Sequence, residues 1–360
     1  MQEVQVKLGE RSYTIVIESG GLARLGERLR GLKVGSRVAC FSDADIWRLY
    51  GPVIESALSG YSITRVELPR GEEAKSLVWA ERSWSACLEG GLDRGSTVVA
   101  VGGGSVGDLA GFVAATYMRG IAFVQVPTTL LAQVDASIGG KVAVNHPKAK
   151  NLIGAFHQPR LVLIDPTVLR TLQNPEYRSG LVEVLKHGMS LDVDYFLDLE
   201  LHRDAILAKE PSVLEWVVAG SCRLKARIVE ADPDESGVRA FLNYGHTVGH
   251  ALEAVTDYKR WLHGEAVSIG IVAAAKIAHR LGLAGQSTFE RQVKLLEAFG
   301  LPTSFDGLSP EEIMAALGRD KKGREGVVPF ILVPKIGEAR LVFDVPRHVV
   351  LEVLRELQSQ

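Results

Sequence analysis

Three of the nine histidines lie close together in the second half of the chain, at His246, His250 and His263. His246 and His250 are four residues apart, so on a helix their side chains lie on one face. Imidazole binds zinc and similar divalent ions, and a catalytic zinc site has about three protein ligands and an open position. The spacing therefore predicts a metal site, but it does not decide which histidine of this pair binds the ion.

A third ligand could come from Glu183. This residue lies inside the apolar segment 180–187, where a charged carboxylate is out of place. Burying an isolated charge is costly, so such a carboxylate needs a partner. A metal ion would be one.

A glycine-rich turn at residues 102–108 follows an apolar strand pattern at residues 97–101 and precedes a helical pattern at residues 109–117. The exposed amides and the dipole of a helix N-terminus favour a phosphate, and glycine lets the backbone approach it. The turn matches the GxGxxG pattern, but it lacks the acidic residue expected about 20 positions later. The sequence predicts a dinucleotide site of non-standard layout, with Asp43 as a possible ribose partner. The alternative is a tight turn without a ligand.

A second cluster of small and basic residues occupies residues 128–151, and we expect its lysines and asparagine to lie in a loop. Such groups suit a phosphate or a carboxylate, and a solvated basic loop is the alternative. Further candidates are Lys225, Arg239 and the pair Lys321-Lys322. Arg239 precedes Asn243 by four residues, which favours a position near the histidine motif. The other histidines considered, His157, His187 and His202, are predicted to be structural or exposed.

The composition narrows the class of protein. The 360 residues suit two domains, and 46% hydrophobic with 23% charged residues is typical of a soluble globular enzyme. The net charge of −2 provides no overall attraction to nucleic acid or to a membrane surface. Three scattered cysteines argue against a disulfide framework or a thiolate zinc site. Without a signal-peptide pattern or an apolar span, we expect a cytoplasmic location.

The elements that would position these residues change character near residue 175. Before that point, strand and helix patterns alternate, which predicts a Rossmann-like α/β domain with a mostly parallel sheet at residues 1–175. After it, helical patterns dominate, which predicts a mainly α-helical domain at residues 176–360. Predicted strands lie at residues 4–8 and 13–17 (an opening hairpin), 37–41, 63–68, 97–101, 123–126, 161–164, 327–333 and 339–343. Predicted helices of the second half lie at residues 179–202, 211–231, 246–255, 266–283 and 346–357.

Several segments, taken in order, resemble the 3-dehydroquinate synthase family of sugar-phosphate cyclases over essentially the whole chain. The segments that carry the resemblance are residues 102–108, 125–135, 139–142, 145–147, 150–159, 243–247, 262–267 and 320–322. The resemblance implies a dehydroquinate synthase-like fold with an NAD-binding first domain and a metal-binding second domain. It also implies that Glu183, His246 and His263 bind zinc, with cobalt as an alternative, and that His250 lies near the substrate instead.

The remaining site residues are likewise implied by the resemblance. Those expected to bind NAD are Asp43, Glu72, Lys75, Gly103, Gly104, Asp108, Thr128, Thr129 and Lys150. Those expected at the substrate are Asp135, Lys141, Asn151, Lys186, Lys225, Arg239, Asn243, His250 and one or both of Lys321 and Lys322. Arg119 resembles an arginine that reaches the neighbouring active site across a homodimer.

The family converts 3-deoxy-D-arabino-heptulosonate 7-phosphate to 3-dehydroquinate and phosphate, in the shikimate pathway to chorismate and the aromatic amino acids. The implied reaction is a transient oxidation by NAD, β-elimination of phosphate, re-reduction and an intramolecular aldol closure. The alternatives are a related cyclase acting on another sugar phosphate and an NAD-linked, metal-dependent polyol dehydrogenase. A non-catalytic NAD-binding subunit would leave buried charges without partners, which disfavours it.

Overall fold

A computed structural model describes residues 1–32, 34–235, 237–317 and 328–359. The chain forms two compact units: Met1–Leu172 with Pro211–Asp234, and Gln173–Glu210 with Glu235–Gln360. The expected boundary near residue 175 would assign Pro211–Asp234 to the second domain, whereas its contacts group it with the first unit. The domain boundaries themselves stay a prediction.

The first unit contains a seven-stranded sheet in the order β1-β2-β9-β6-β5-β3-β4 and a separate hairpin formed by β7 and β8. The strands are β1 (Gln2–Val6), β2 (Tyr13–Ile17), β3 (Arg37–Asp43), β4 (Ser62–Leu68), β5 (Thr97–Gly102), β6 (Ala122–Pro127), β7 (Lys141–His146), β8 (Ala149–Phe156) and β9 (Leu161–Ile164). Strand β1 pairs antiparallel with β2, and all other pairs in the sheet are parallel. The predicted opening hairpin and parallel sheet are therefore confirmed.

The interior strand β5 illustrates why this sheet forms. All of its residues are buried, as expected for a parallel strand covered on both faces. Because side chains alternate along a strand, Val98 and Ala100 join the core on one face, and Val99 and Val101 join the core on the other. Two apolar layers thus hold β5 inside the sheet.

Helices cover the first unit and make up most of the second. They are α1 (Leu25–Gly31), α2 (Ala44–Ala57), α3 (Leu77–Glu89), α4 (Gly104–Thr116), α5 (Asn174–Leu191), α6 (Val193–Leu201), α7 (Arg203–Leu207), α8 (Pro211–Ala231), α9 (His246–Val255), α10 (His263–Arg280), α11 (Gln286–Ala298), α12 (Pro310–Leu317) and α13 (Arg347–Leu357). Among the helices of the described residues, none is long and apolar enough to cross a membrane.

In the second unit, α10 is the central helix and packs against α5, α9, α11 and α13. A short antiparallel hairpin, β10 (Phe330–Lys335) with β11 (Glu338–Val342), lies against it. The predicted helix at residues 179–202 is wrong as a single element, because it is divided into α5 and α6 at Asp192. The backbone of Asp192 is extended, and its carboxylate accepts the N–H of Tyr195, which makes it the N-cap of a new helix.

The prediction of a loop at residues 148–151 is also wrong. Residues 149–151 belong to β8, which pairs with β7 in register from Lys141 opposite Phe156 to His146 opposite Ala149. Val142 and Val144 of β7 are buried in the core under α4, whereas most of β8 is exposed. Most of β8 is exposed, and its polar and apolar residues do not alternate, so the sequence pattern did not indicate this strand.

Candidate active site

Three helices of the second unit bring Glu183, His246 and His263 together, from α5, α9 and α10 respectively. One potential ligand atom from each lies within 4.8 Å of the other two. His246 Nε2 is 3.7 Å from Glu183 Oε1, and the His246 and His263 ring centroids are 5.2 Å apart. The three residues that the resemblance implies as metal ligands therefore form one cluster.

Glycines allow α9 and α10 to approach closely enough to form this cluster. Gly245 precedes α9 with a φ of +80°, and a Cβ atom there would lie 2.5 Å from Ile271 Cγ1 of α10. A Cβ atom at Gly270 would lie 1.9 Å from the carbonyl oxygen of Gly245. Any side chain at either position would separate the helices and move His246 away from His263.

Each histidine of the cluster has a hydrogen-bond partner at its Nδ1 atom. Nδ1 of His246 is 3.1 Å from the carbonyl oxygen of Tyr244, and Nδ1 of His263 is 3.3 Å from both carboxylate oxygens of Glu253. Carbonyl and carboxylate acceptors at one ring nitrogen fix the orientation of metal-binding imidazoles and leave Nε2 for the ion.

The electrostatic environment differs between the two histidines. Burial lowers the pKa of His246 well below its usual value, and the positive charges of Lys186 and of the other two histidines lower it further. Burial also lowers the pKa of His263, but the hydrogen bond and the charge of Glu253 outweigh it and raise the pKa overall. His246 is thus held in the neutral form that binds metals.

The environment of Glu183 also favours a metal site. It is fully buried and pairs with the equally buried Lys186 through Oε2. Its other oxygen, Oε1, has no hydrogen-bond partner among the described residues. A buried carboxylate oxygen without a donor is costly, and here it faces His246 Nε2. Two imidazoles and a carboxylate are a donor set that suits zinc or cobalt, so these residues fit a divalent metal.

A second set of donors overlaps the first. His250, Glu253 and His263 also offer atoms within 4.8 Å of one another. In this set, however, Glu253 is already bonded to His263 Nδ1, so its position is that of an orienting carboxylate. His250 lies beside the cluster, with its ring centroid 5.2 Å from that of His246.

The other predicted substrate residues of the second unit lie on two elements. Lys186 lies one turn after Glu183 on α5 and is 1% exposed. Arg239 and Asn243 both lie in the 3₁₀ turn Val238–Asn243 that leads to α9, and Arg239 is 2% exposed. A large buried cation is unusual outside a binding site. Lys321 and Lys322 lie outside the described residues.

In the first unit, the glycine-rich turn connects β5 to α4 at the point where the strand order reverses. The chain runs outward from β3 to β4, then returns to the other side of β3 with β5 and continues to β6. Open parallel sheets bind ligands at the carboxyl ends of the strands at such a reversal. Gly103 is the N-cap of α4 and Gly104 its first residue.

Asp43 lies at the end of β3, on the other side of the same reversal. One of its oxygens accepts the N–H groups of Asp45 and Ile46, so it caps α2. It also lines a cavity of about 390 Å³ together with Leu68, Arg70 and other residues at the ends of β3 and β4. The glycine turn follows β5, and the candidate acidic residue Asp43 follows the adjacent strand β3. This explains why no acidic residue occurs about 20 positions after the turn.

Five predicted cofactor and substrate residues form one polar network beside α4. Lys75 Nζ lies 2.7 Å from Asp108 Oδ2 and donates to Asn151 Oδ1 at 2.5 Å. Glu72 lies 3.9 Å from both Lys75 and Lys150. Burial raises the pKa of Asp108, and Lys75 offsets only part of the rise. Burial would also raise the pKa of Glu72, but the two lysines and the Asn145 hydrogen bond outweigh it and lower the pKa.

Thr128 and Thr129 follow β6 directly and lie against the glycine turn. The N–H of Thr128 donates to Gly102, and a Cβ atom at Gly103 would lie 3.2 Å from Thr129 Cγ2. The buried hydroxyl of Thr128 has no hydrogen-bond partner within the described part of the chain. A buried hydroxyl without a partner is costly, which makes it a candidate donor for a ligand at the turn.

Asp135 lies in a π-helical turn, Ala132–Ala136, a distortion that is frequent at functional sites. Lys225 of α8 forms an ion pair with its carboxylate and donates to its carbonyl at 2.6 Å. Lys141 begins β7 with an exposed side chain, and Arg119 is exposed with a left-handed φ of +68°.

Two residues that bond to these groups were not assigned a role from the sequence. Glu253 follows His250 by three residues on α9, so the helical spacing could have identified it. Asn145 donates to Glu72 and accepts the N–H of Asn151. Its contact with Glu72 spans 73 residues, so no local pattern could have indicated it. His157 and His187 are partly and fully buried, and His202 is exposed.

Two family models match successive parts of the chain. Residues 65–179 match the family described as 3-dehydroquinate synthase N-terminal, and residues 180–323 match 3-dehydroquinate synthase C-terminal. A 3-dehydroquinate synthase of Pelotomaculum thermopropionicum is 49% identical over 98% of this chain and 96% of its own length.

Two solved structures are similar over nearly the whole chain. One is ValA, a 2-epi-5-epi-valiolone synthase from Streptomyces hygroscopicus subsp. jinggangensis with NAD⁺ and Zn²⁺ bound, at 29% identity and a TM-score of 0.89, covering 98% of both chains. The other is a 2-deoxy-scyllo-inosose synthase with carbaglucose-6-phosphate, NAD⁺ and Co²⁺, at 27% identity and a TM-score of 0.87, covering 99% of both. The chain belongs to the 3-dehydroquinate synthase family.

Proposed function

We propose that the protein is a 3-dehydroquinate synthase, a phosphate-eliminating cyclase that depends on NAD and a divalent metal. It converts 3-deoxy-D-arabino-heptulosonate 7-phosphate to 3-dehydroquinate and phosphate, as a step of the shikimate pathway. The observation that carries the proposal is the cluster of Glu183, His246 and His263, in a chain of this family. Its support is the buried Glu183 Oε1 atom, which lacks a hydrogen-bond donor among the described residues.

Glu183, His246 and His263 would hold the metal, and zinc is our first choice because its preferred ligands are imidazole and carboxylate. When bound, the metal would polarise the substrate hydroxyl oxygens and lower their pKa. Tyr244 and Glu253 would keep the two imidazoles oriented, since each occupies an Nδ1 atom. Lys186 would balance the charge of Glu183, which has no solvent exposure.

The glycine turn and the polar network of the first unit would hold the cofactor. When bound, NAD⁺ would accept a hydride from the substrate and later return it. The residues that we assign to it are Asp43, Glu72, Lys75, Gly103, Gly104, Asp108, Thr128, Thr129 and Lys150. The N-terminus of α4 would stabilise the pyrophosphate through its exposed amides.

The substrate has two anionic groups, and the chain supplies buried cations to match them. Lys186, Lys225 and Arg239 are each at most 5% exposed, so their charge-assisted hydrogen bonds would be little screened. Lys141, Asn151 and Asn243, with Lys321 or Lys322, complete the proposed set. Asp135 and His250 are our candidates for moving the hydroxyl proton, and Lys225 orients Asp135 by pairing with it.

We also propose a homodimer in which Arg119 reaches the active site of the partner. Arg119 and Met118, just after α4, both have left-handed backbones, and Arg119 is exposed. Strand β8 of the same unit exposes Leu152 at 73% and Phe156 at 43%. Exposed apolar side chains on a strand favour burial against another chain. The proposed location is the cytoplasm.

The experiment that tests the function supplies purified protein with NAD⁺, zinc and the heptulosonate phosphate. Phosphate release and 3-dehydroquinate are measured while absorbance reports NADH. We expect stoichiometric phosphate and 3-dehydroquinate without accumulation of NADH, because the cofactor is regenerated in each turnover. Net NADH formation would instead indicate a polyol dehydrogenase. Turnover of another sugar phosphate, with none of the heptulosonate, would indicate a related cyclase.

A further inference from the structure

Asn145 lies near the end of β7 and bonds to the distant segment of Glu72 and Lys75 and to Asn151, six residues later on the paired strand. Its Nδ2 donates to Glu72 Oε2 at 2.6 Å, and its backbone N–H donates to the carbonyl oxygen of Lys75 at 2.7 Å. Its Oδ1 accepts the backbone N–H of Asn151 at 3.1 Å. A carboxamide has both a donor and an acceptor, so a single side chain makes both contacts. The family resemblance included the segment of Asn145 without giving this residue a role.

The conformation of Asn151 depends on these contacts. Its φ is +57°, a left-handed backbone that persists in non-glycine residues only where the surroundings fix it. The main chain of Asn151 is held by Asn145, and its side-chain Oδ1 is held by Lys75 Nζ at 2.5 Å. Two independent hydrogen bonds therefore fix the conformation of Asn151, and Asn145 accepts one of them.

The cofactor side of the network depends on the same residue. The side chain of Glu72 is 49% exposed, so packing alone does little to fix its position. The bond from Asn145 anchors Glu72 Oε2, while Ser105 donates to the other oxygen at a longer 3.4 Å. Asn145 thus bridges two groups proposed to bind the cofactor, Glu72 and Lys75, and one proposed to bind the substrate, Asn151.

We propose that Asn145 is a positioning residue that couples the cofactor and substrate sites. It holds Glu72 for NAD⁺ and Asn151 for the sugar phosphate in one arrangement, so a ligand that stabilises this arrangement at one end favours binding at the other. The substrate half of this inference rests on the proposed function. The cofactor half rests only on NAD⁺ binding.

The test compares Asn145→Ala and Asn145→Asp with a matched control, Lys148→Ala, whose exposed side chain lies in the turn of the same hairpin. Calorimetry on the zinc-loaded, full-length protein measures the Kd of NAD⁺. The Kd of a phosphonate substrate analogue, in which a methylene group replaces the ester oxygen so that phosphate cannot leave, is measured with and without NAD⁺. Steady-state kinetics and thermal unfolding complete the set.

We expect Asn145→Ala to weaken NAD⁺ binding about tenfold and to raise the KM for the sugar phosphate about tenfold, while kcat changes less. The effect of NAD⁺ on the Kd of the analogue should disappear. Asn145→Asp keeps the acceptor for Asn151 but faces Glu72 with a like charge. It should therefore weaken NAD⁺ binding while the Kd of the analogue without NAD⁺ stays near the wild-type value. Lys148→Ala should match the wild type in every measurement.

Wild-type NAD⁺ affinity and KM in Asn145→Ala, even with a lower Tm, would overturn the proposal and leave Asn145 a purely structural residue. A tenfold loss of NAD⁺ affinity with unchanged coupling to the analogue would overturn the link to Asn151. If the wild type turns over no heptulosonate phosphate, the proposed function fails. The NAD⁺ affinities of Asn145→Ala and the wild type would still decide the link to Glu72.

Discussion

The metal cluster of the second unit and the polar network of the first unit are assembled in opposite ways. The cluster takes one side chain from each of three long helices, and Glu183 and His246 are 0% and 9% exposed. The network takes its residues from strand ends, a helix N-terminus and a hairpin, and Glu72 remains half exposed. The first is a small set of three side chains, of which two are buried and His263 is 31% exposed. The second distributes its interactions among many partially solvated bonds.

This difference predicts a difference in sensitivity to substitution. In a buried site, the removal of one ligand leaves the other polar atoms without partners in a poor solvent for charge, so the loss is large. In a half-exposed network, water replaces a lost bond, so each loss is modest. Four substitutions test this contrast, in order of expected effect.

Glu183→Gln should have the largest effect. The substitution keeps the shape of the side chain but removes the charge that a divalent ion requires. We expect metal content to fall from about one equivalent to near zero and kcat/KM to fall by about 10³-fold or more, since a catalytic metal supplies several kcal/mol. Metal analysis by mass spectrometry and a phosphate-release assay measure both quantities. The control is Glu297→Gln, an exposed glutamate of α11. Wild-type metal content in Glu183→Gln would remove this residue from the proposed ligand set.

Glu253→Gln should have an intermediate effect, because Glu253 contacts a proposed ligand and not the ion. We expect zinc affinity to fall about 10- to 100-fold with the stoichiometry unchanged. Competition with a chelator measures the affinity, and the visible spectrum of the cobalt-loaded protein reports the geometry. A complete loss of stoichiometric binding would instead identify Glu253 as a direct ligand, as part of the set with His250 and His263.

Gly111→Ala tests the packing of α4 against β7, and it leaves the polar residues of the network unchanged. A Cβ atom at this position of α4 would lie 2.3 Å from Val142 Cγ1 of β7 and 2.9 Å from Phe123. Overpacking of this kind costs about 1–3 kcal/mol of the free energy of unfolding, which denaturant titration measures. The control is Gly31→Ala, where no atom lies within 4 Å and no loss is expected. Equal stabilities of the two variants would show that α4 shifts without cost.

Glu72→Gln should have the smallest effect on stability, a small loss at neutral pH that disappears in acid. The pKa of Glu72 is lowered in the folded protein from its ordinary 4.5, although burial opposes the shift. The stabilisation is therefore fully present above the unfolded pKa and is lost as the pH falls through the lower folded value. We expect the urea midpoint of Glu72→Gln to decline less than that of the wild type below about pH 4.5. Its exposed neighbour, Glu73→Gln, is the control. A wild-type acid slope in Glu72→Gln would contradict the shift.

For the helical part of the candidate site, the sequence predicted two of the helices and the shared face of two histidines correctly. The predicted helices at residues 211–231 and 246–255 coincide with α8 and α9, and the i, i+4 pair His246 and His250 lies on one face, as predicted. Helical spacing is a local property, so the sequence displays it. The assignment of the metal to His246 instead of His250 came from the resemblance alone, and it stays a prediction.

The network of the first unit could be predicted only in part. The strand β5 was predicted correctly and the glycine turn only in part, because α4 already begins at Gly104. Residues of β8 were predicted as a loop, and Asn145 received no role. An exposed strand has no apolar alternation, and contacts between residues 72, 145 and 151 depend on a sheet topology that no window of sequence contains. The role of every residue in this network stays a prediction.

The sequence by itself determined the elements and their chemistry: buried parallel strands, a glycine turn at a helix N-terminus, and histidines at helical spacing. Only the tertiary structure decided which groups face one another. It placed Glu253 at His263, Asn145 between Glu72 and Asn151, and α8 in the first unit. The physical reason is that periodicity and capping act within a few residues, whereas close packing through glycines and long-range hydrogen bonds acts between elements that the chain order does not pair.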